Sequence, residues 1–562
     1  MTQLFAPLSG VFLFIFLITL GMFSPPTLQQ LRNADRTLLK KLQDRAWGKR
    51  SFAGWRNGEV AKRRADISSV DGLAKLRRFL EQKDAFTIHL AKKRFRDKDG
   101  ATLLVTCARA ATTDMWPMGA SYWARDNALI AARYLFSGDK KYRRLGKDLL
   151  LSVITFMSTV SQLDRFEGII RSTSARYRRI PTNWPYIFAS ISDNLSTSRE
   201  ESWSHKQDAW QIAAYYLLEA LEQGVISPKE LTRKHKRFLS LIVPFLAKVS
   251  FWSCENSGSW EEIPAVRTSV RAWEHRLLIK LLKVSNVRGF AFIERVYSRN
   301  REYLSREFRE LDFEQAILHM ERRVITEVTR DLPGESPRYT RADARHRRAD
   351  AALIYLLMID YPYFLAARMV RSPEWAHRLE AKVLKTIATL EDPVTGAIRR
   401  YKDDCYQRVG YFHHETIHKL AQIGGSPSGD FSSHFLARNR AVPKGREAAW
   451  THFVWQLSAW SGRRYLETGS KVYLRLHTGY FKRGLALITG PGEVSIEQDA
   501  RGKPRVTSLP PFRMPECYMS ERTVDGRLLV VPSPHTPLNW AVAEMLDAFG
   551  VRKQILEKNI AK

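Results

Sequence analysis

The sequence predicts an all-α body, a toroid of helical hairpins, and three observations predict it. From about Ala101 onward, apolar residues recur at three- and four-residue spacing in one segment after another, the period of a helix with one buried face. Short loops rich in Gly, Pro and Ser separate these segments, which suits helices folded back on their neighbours. Alternating apolar and polar runs are scarce, so few strands are expected. No self-similarity at a fixed period is visible, which argues against a helical solenoid.

The elements follow in order. Leu4–Phe23 is a run of twenty residues without a charge, and Ser24-Pro25-Pro26 ends it. That length crosses a bilayer as a helix, so residues 1–26 are expected to form a transmembrane anchor. A cleaved signal peptide is the rival, but Met1-Thr2-Gln3 carries no basic residue. Arg32, Arg36, Lys40, Lys41, Arg45, Lys49 and Arg50 follow, opposed only by Asp35 and Asp44. This one-sided excess predicts that the body stays on the cytoplasmic side of the inner membrane, with the basic flank against anionic lipid. Residues 27–100 read as a basic, largely helical stalk or docking segment, and 101–562 as the toroid. Within the toroid, helices are expected over Asn127–Tyr134, Lys147–Thr159, Ala209–Leu221, Phe238–Val249, Ser269–Leu278, Ala352–Leu365, Ala376–Leu390 and Trp540–Phe549. Tyr465–Ser495 and Arg527–Val531 read as short strands or irregular chain, and Ser298–Arg348 as exposed helices plus a loop.

Composition bounds the function. A chain of 562 residues with 26% charged and 44% hydrophobic residues buries a large core. Its formal net charge of +32 implies attraction to an anionic surface, either nucleic acid or lipid headgroups. No helix-turn-helix, zinc-finger or RNA-binding signature is present, so no specific nucleic acid is expected. The cysteines Cys107, Cys254, Cys405 and Cys517 lack metal-ligand spacing. His413 and His414 are adjacent, and neighbours on an extended chain point opposite ways. No metal and no cofactor is expected.

The loops between helices carry the candidate chemistry. The loop Phe251–Arg267 holds Glu261 and Glu262 directly after Trp260, with Trp252 nearby. A carboxyl beside indoles is partly desolvated, which raises its pKa and lets it keep a proton near neutral pH. Tyr122-Trp123-Ala124-Arg125-Asp126, His205-Lys206-Gln207-Asp208, Arg400-Tyr401-Lys402-Asp403-Asp404 and Pro515-Glu516-Cys517-Tyr518 share this mix of aromatic and charged residues. Taken singly, each reads as a helix start with an ion pair, and Asp126 and Asp208 read as caps. If the helices close into a ring, the five loops meet at one end. They would line a pocket of indole, guanidinium and carboxylate groups, which suits neutral sugars.

These motifs resemble the glucoamylase-type glycoside hydrolases and the related regulatory subunits of phosphorylase kinase. The similarity runs from about Tyr122 to Phe549 as scattered motifs in the same order. It implies an (α/α)6 toroid. The run Tyr122–Asp126 resembles a W-x-R-D motif, which implies that Trp123, Arg125 and Asp126 hold the sugar ring. Gln207 and Asp208 resemble a segment at the edge of the site, although the family leaves one residue between the two. Trp260-Glu261-Glu262 resembles W-E-E, which implies Glu261 as general acid and Trp260 and Glu262 as sugar contacts. Arg400 and Tyr401 resemble a sugar-binding segment. Glu516 resembles the general base, and Trp540 lies on the helix that follows it, which implies a further sugar contact. After Tyr406 the chain departs from the family, with Gln407-Arg408-Val409-Gly410 in place of Gly-Asn-Pro-Trp. The resemblance implies hydrolysis of an α-glucoside or glucan-type oligosaccharide with inversion. Its kinase-subunit branch implies the alternative, a glycan-binding regulatory or scaffold protein without catalysis.

Overall fold

The computed structural model describes residues 67–109, 121–179, 183–190 (except 187), 207–260, 264–331 (except 286, 288 and 289), 334–358 (except 342 and 344), 373–404 (except 403), 447–498, 504–522 and 528–560. The expected anchor Leu4–Phe23, its basic flank, Glu261, Glu262, His413 and His414 lie outside the described residues. Among those described, no helix is long and apolar enough to cross a membrane.

Helix α1 (Val70–Gln82) is followed by the hairpin β1 (Leu90–Arg96) and β2 (Thr102–Ala108), then by β3 (Ser121–Trp123) and α2 (Ala124–Leu135). Next come α3 (Lys140–Met157), α4 (Val160–Arg171), β4 (Phe188–Ser190), α5 (Gln207–Glu222), α6 (Arg233–Val249), α7 (Thr268–Ser285), α8 (Ala291–Asn300) and α9 (Phe313–Asp331). A 3-10 helix covers Ala351–Met358. Then follow α10 (Pro373–Ala388), β5 (Ile398–Arg399), β6 (Ala449–Trp450), α11 (His452–Thr468), α12 (Lys471–Ala486) and the hairpin β7 (Val494–Gln498) and β8 (Pro504–Ser508). β9 (Cys517–Arg522), β10 (Leu528–Pro532) and α13 (Asn539–Ile560) end the order.

Packing closes a ring. α2 lies on α5, α5 on α7, α7 on the 3-10 helix, the 3-10 helix on α11, α11 on α13, and α13 back on α2. These inner elements are buried nearly all round, charged residues such as Arg133, Arg271 and Glu274 included; Trp210, Trp273 and Trp455 are among their largest fully buried side chains. An outer layer backs them: α3 on α2, α9 on α7, α10 on the 3-10 helix, α12 on α11 and α1 on α13. The outer helices bury one stripe each; on α9 it is Phe313, Ala316, Ile317, Met320, Val324 and Val328. The mainly helical toroid is therefore the architecture of this chain.

Several expectations change. The segment read as a stalk is, from Ile67 on, part of the ring. Leu73, Leu76 and Leu80 are buried, and Arg552 donates to the Ile67 carbonyl at 2.9 Å. Leu90–Arg96 is a strand, not helix, paired antiparallel with Thr102–Ala108; its Lys and Arg residues hide the alternation. Tyr465–Ser495 is mostly helical, because α11 and α12 cover it as far as Ala486. Aromatic residues such as Tyr465 and Phe481 favour strands by propensity, and packing overrides it: Tyr465 donates to Asn559 of α13 and Phe481 lies against Phe549 of α13. Asp126 and Asp208 lie within the first turns of α2 and α5, and Trp123 takes the cap position of α2.

A small antiparallel sheet, ordered β10-β9-β6-β5, bridges loops that are far apart in sequence. Trp450 pairs with Ile398 on one side and with Cys517 on the other. Arg400, Trp450 and Glu516 are thus brought onto adjacent strand ends.

Candidate functional site

The first turns of the inner helices gather at one end of the ring. Arg125 Nη1 reaches Asp208 Oδ2 at 3.4 Å and the Gly258 carbonyl at 3.3 Å. Its Nε lies 3.5 Å from Asp126 Oδ1. Gly258 adopts φ +67 with Arg267 against it, so the Trp260 loop turns where a Cβ would be strained. Three loops from the sequence therefore meet at one guanidinium.

Trp260 joins a second group. Its ring lies 5.9 Å from Trp450 and 5.5 Å from Phe453. The Arg400 guanidinium sits 5.1 Å from Trp260 and 5.3 Å from Trp450, within the range where a cation is attracted to a ring face. Asp404 holds Arg400 through two bonds of 2.6 and 2.7 Å. Tyr401 is buried, with the Arg347 guanidinium 4.0 Å from its ring.

Glu516 stands at the start of β9, 1% exposed. Its N–H donates to the His535 carbonyl at 3.0 Å, its carbonyl accepts from Thr451 N–H at 3.1 Å, and Ser533 Oγ donates to its Oε2 at 3.3 Å. Burial pushes the neighbouring Cys517 thiol well up, and the charges of Glu516 and Asp404 add to it. The Glu516 carboxylate and the Arg400–Asp404 pair thus flank the same thiol.

Trp540 is buried in the first turn of α13. It stacks on His452 at 4.2 Å and donates from Nε1 to Glu544 at 3.0 Å. Burial, together with the Arg125 charge, pushes the His452 imidazole down to about 3, so it is neutral. Trp123 is buried, and its carbonyl accepts from Asn127 at 2.9 Å. Gln207 begins α5. The loop over 261–263, with Glu261 and Glu262, lies outside the described residues between Trp260 and Pro264.

Sequence reasoning missed a buried carboxyl pair beneath Trp260. Asp350 Oδ1 accepts from Trp260 Nε1 at 2.7 Å and from Ala352 N–H at 2.9 Å. Glu335 accepts from Ser269 N–H at 2.9 Å and from its hydroxyl at 2.5 Å. Burial pushes Glu335 up to about 8, with the Asp350 charge as second cause, and burial pushes Asp350 up to about 6. Ala351 N–H donates to the Arg400 carbonyl at 2.7 Å, so Asp350 sits between the Trp260 ring and the Arg400 main chain. The available signal was an Asp just before the apolar run Ala351–Met358. Nothing local marks Glu335.

No known family profile matches the sequence, and no curated protein matches it. Solved structures are similar to it. A wild-type glycosidase shares 13% identity at a TM-score of 0.43, over 80% of this chain and 91% of that one. The glucoamylase of Saccharomycopsis fibuligera shares 12% at 0.43, over 80% and 89%. The family 15 glucoamylase of Hypocrea jecorina shares 11% at 0.45, over 80% and 67%. The toroid itself is carried by the closed ring of helix contacts and not by these overlaps.

Proposed function

We propose that the chain is an inverting glycoside hydrolase acting on an α-glucoside or glucan-type oligosaccharide. The observation that supports this reading is the path from Glu516 to Trp260. Glu516 is bonded through its main chain to Thr451, the neighbour of Trp450, and the Trp450 ring lies on Trp260. Glu261 is the residue after Trp260.

In this reading Glu261 is the general acid and protonates the leaving glycosidic oxygen. Glu516 takes a proton from the water that attacks the anomeric carbon on the opposite face. Inversion needs a gap of about 6.5–9.5 Å between the two carboxyls to admit that water. Trp260 supplies an apolar wall, and Glu262 a hydroxyl acceptor. Arg125 is balanced by Asp126 and Asp208, and Arg400 by Asp404. Neither guanidinium is left as an uncompensated positive charge, which fits a sugar without an anionic group. We further place the chain in the inner membrane as a single-pass protein with its body on the cytoplasmic side, supported by Leu4–Phe23 and the basic flank.

The test is hydrolysis of a panel of α-glucosides, trehalose and bacterial oligosaccharides. Glu261→Gln and Glu516→Gln should each lower turnover by ~10²–10⁴ with substrate affinity largely kept, whereas Glu262→Gln should weaken binding more than turnover. Full activity in Glu261→Gln would remove the assignment. A wild type that binds a glycan and cleaves none across the panel would replace the enzyme with a glycan-binding scaffold.

A further inference from the structure

On the outer surface, away from the candidate site, α4, α6 and α8 enclose a groove of about 690 Å³. Six cationic side chains line it against one carboxylate, Glu167. Glu167 is already engaged: Arg237 Nε donates to it at 2.8 Å and Arg171 lies 3.5 Å away. The other four cations are Arg233 and Lys236 on α6 and Arg295 and Arg299 on α8. Among the described residues none of the four has an ion-pair partner. Each pair lies three or four residues apart, so each shares one helix face, and the two faces look into the same groove.

The wall behind the cations is apolar. Leu241 is buried and Phe292 and Val296 are half-buried, with Tyr303 at one end. Four unpaired like charges around one concavity repel each other and raise the local concentration of anions. An anion alone would satisfy the rim and leave the apolar wall wet. An amphiphile with a charged head satisfies both. The volume fits one headgroup with its glycerol region, and it is too small for a tracking nucleic acid strand, which also asks for exposed rings to stack on. A bilayer is within reach: the uncharged run Leu4–Phe23 is joined to the ring by residues 24–66, and a chain of that length extends up to ~140 Å.

We propose that this groove holds the headgroup of an anionic phospholipid of the adjacent membrane, with Arg233, Lys236, Arg295 and Arg299 on the phosphate and Phe292 and Val296 against the glycerol and upper acyl region. The site is independent of the glycosidase reading.

The full chain in non-ionic detergent micelles is titrated with dihexanoyl phosphatidylglycerol, with dihexanoyl phosphatidylcholine, with inorganic phosphate and with a single-stranded DNA oligonucleotide, at low and physiological salt. Phosphatidylglycerol should bind at least tenfold tighter than phosphatidylcholine, and more weakly as salt rises. The variant Arg233→Gln/Lys236→Gln/Arg295→Gln/Arg299→Gln should lose at least tenfold of that affinity with unchanged thermal melting. If it melts early, Arg295→Gln/Arg299→Gln alone should lose at least threefold. Equal binding of the two lipids, or wild-type affinity in the variants, overturns the proposal. So does inorganic phosphate that binds as tightly as phosphatidylglycerol, or DNA that does so at physiological salt.

Discussion

Asp350 is the residue whose removal should disturb the candidate site most without touching its expected acid or base. One oxygen, Oδ1, takes both the Trp260 Nε1–H at 2.7 Å and the Ala352 N–H at 2.9 Å. Asp350→Ala strands two buried donors. Each costs ~1–3 kcal/mol when unsatisfied, so the change should lower stability by ~2–6 kcal/mol. Asp350→Asn keeps an acceptor in the same place and should cost less than ~1 kcal/mol. Urea unfolding followed by circular dichroism separates the two, since a pure stability change moves the midpoint and leaves the slope. The pH dependence carries a second signature. Burial raises Asp350 to about 6 and Glu335 to about 8, so the folded chain holds protons that the unfolded chain releases. The stability they contribute is fully present below pH ~4 and is lost as pH rises towards 8. Asp350→Asn should flatten the lower half of that decline. Ala and Asn variants within about 0.5 kcal/mol of each other, with unchanged pH slopes, would refute the role given to Asp350.

Other changes have equally specific outcomes. Gly484→Ala would place a methyl 2.6 Å from the Trp455 ring, and this overpacking of α12 on α11 should cost ~1–3 kcal/mol by the same unfolding assay. Glu274 is fully buried beside Gln211, and burial pushes it up to about 8; wild-type stability should fall relative to Glu274→Gln between pH ~4.5 and 8, as thermal melts across that range would show. Deleting residues 1–26 should move the protein into the soluble fraction with unchanged melting, because the described ring begins at Ile67; persistence in the membrane pellet at high salt would show that the run is not the main anchor.

The fold was legible where burial imposes a period. The inner helices α2, α5, α7 and α13 each contain the segment expected of them, since an inner helix needs apolar residues at every turn; the outer α6 does so too, and α3 ends at Met157, two residues short of Thr159. It was illegible where propensity and burial disagree, as in the aromatic-rich α11. The same holds where pairing is long-range: β5, β6, β9 and β10 are short runs that gain meaning only beside each other. The motif loops were legible because a few side chains must converge there, and Arg125, Asp208, Trp260 and Arg400 do approach one another directly or through Gly258 and Trp450. Glu335 and Asp350 were not, because two buried carboxyls fifteen residues apart in sequence leave no pattern until the chain folds.

Trp540 shows why a motif match and a position are different kinds of information. The resemblance implies a sugar contact, but its ring face is taken by His452 and its N–H by Glu544. Glu544 also accepts from Gln456 Nε2 at 3.0 Å and from Arg133 Nε at 2.8 Å. One carboxylate on α13 therefore ties α2 and α11 to the floor under the site. A buried network of this kind is costly unless its members are paired, and when they are it fixes how the helices sit. The indole of Trp540 is held by that network from below and itself sets the plane of the His452 ring. Its effect on any bound sugar would pass through the residues stacked above it, and a substitution there should disturb the whole floor rather than remove one contact.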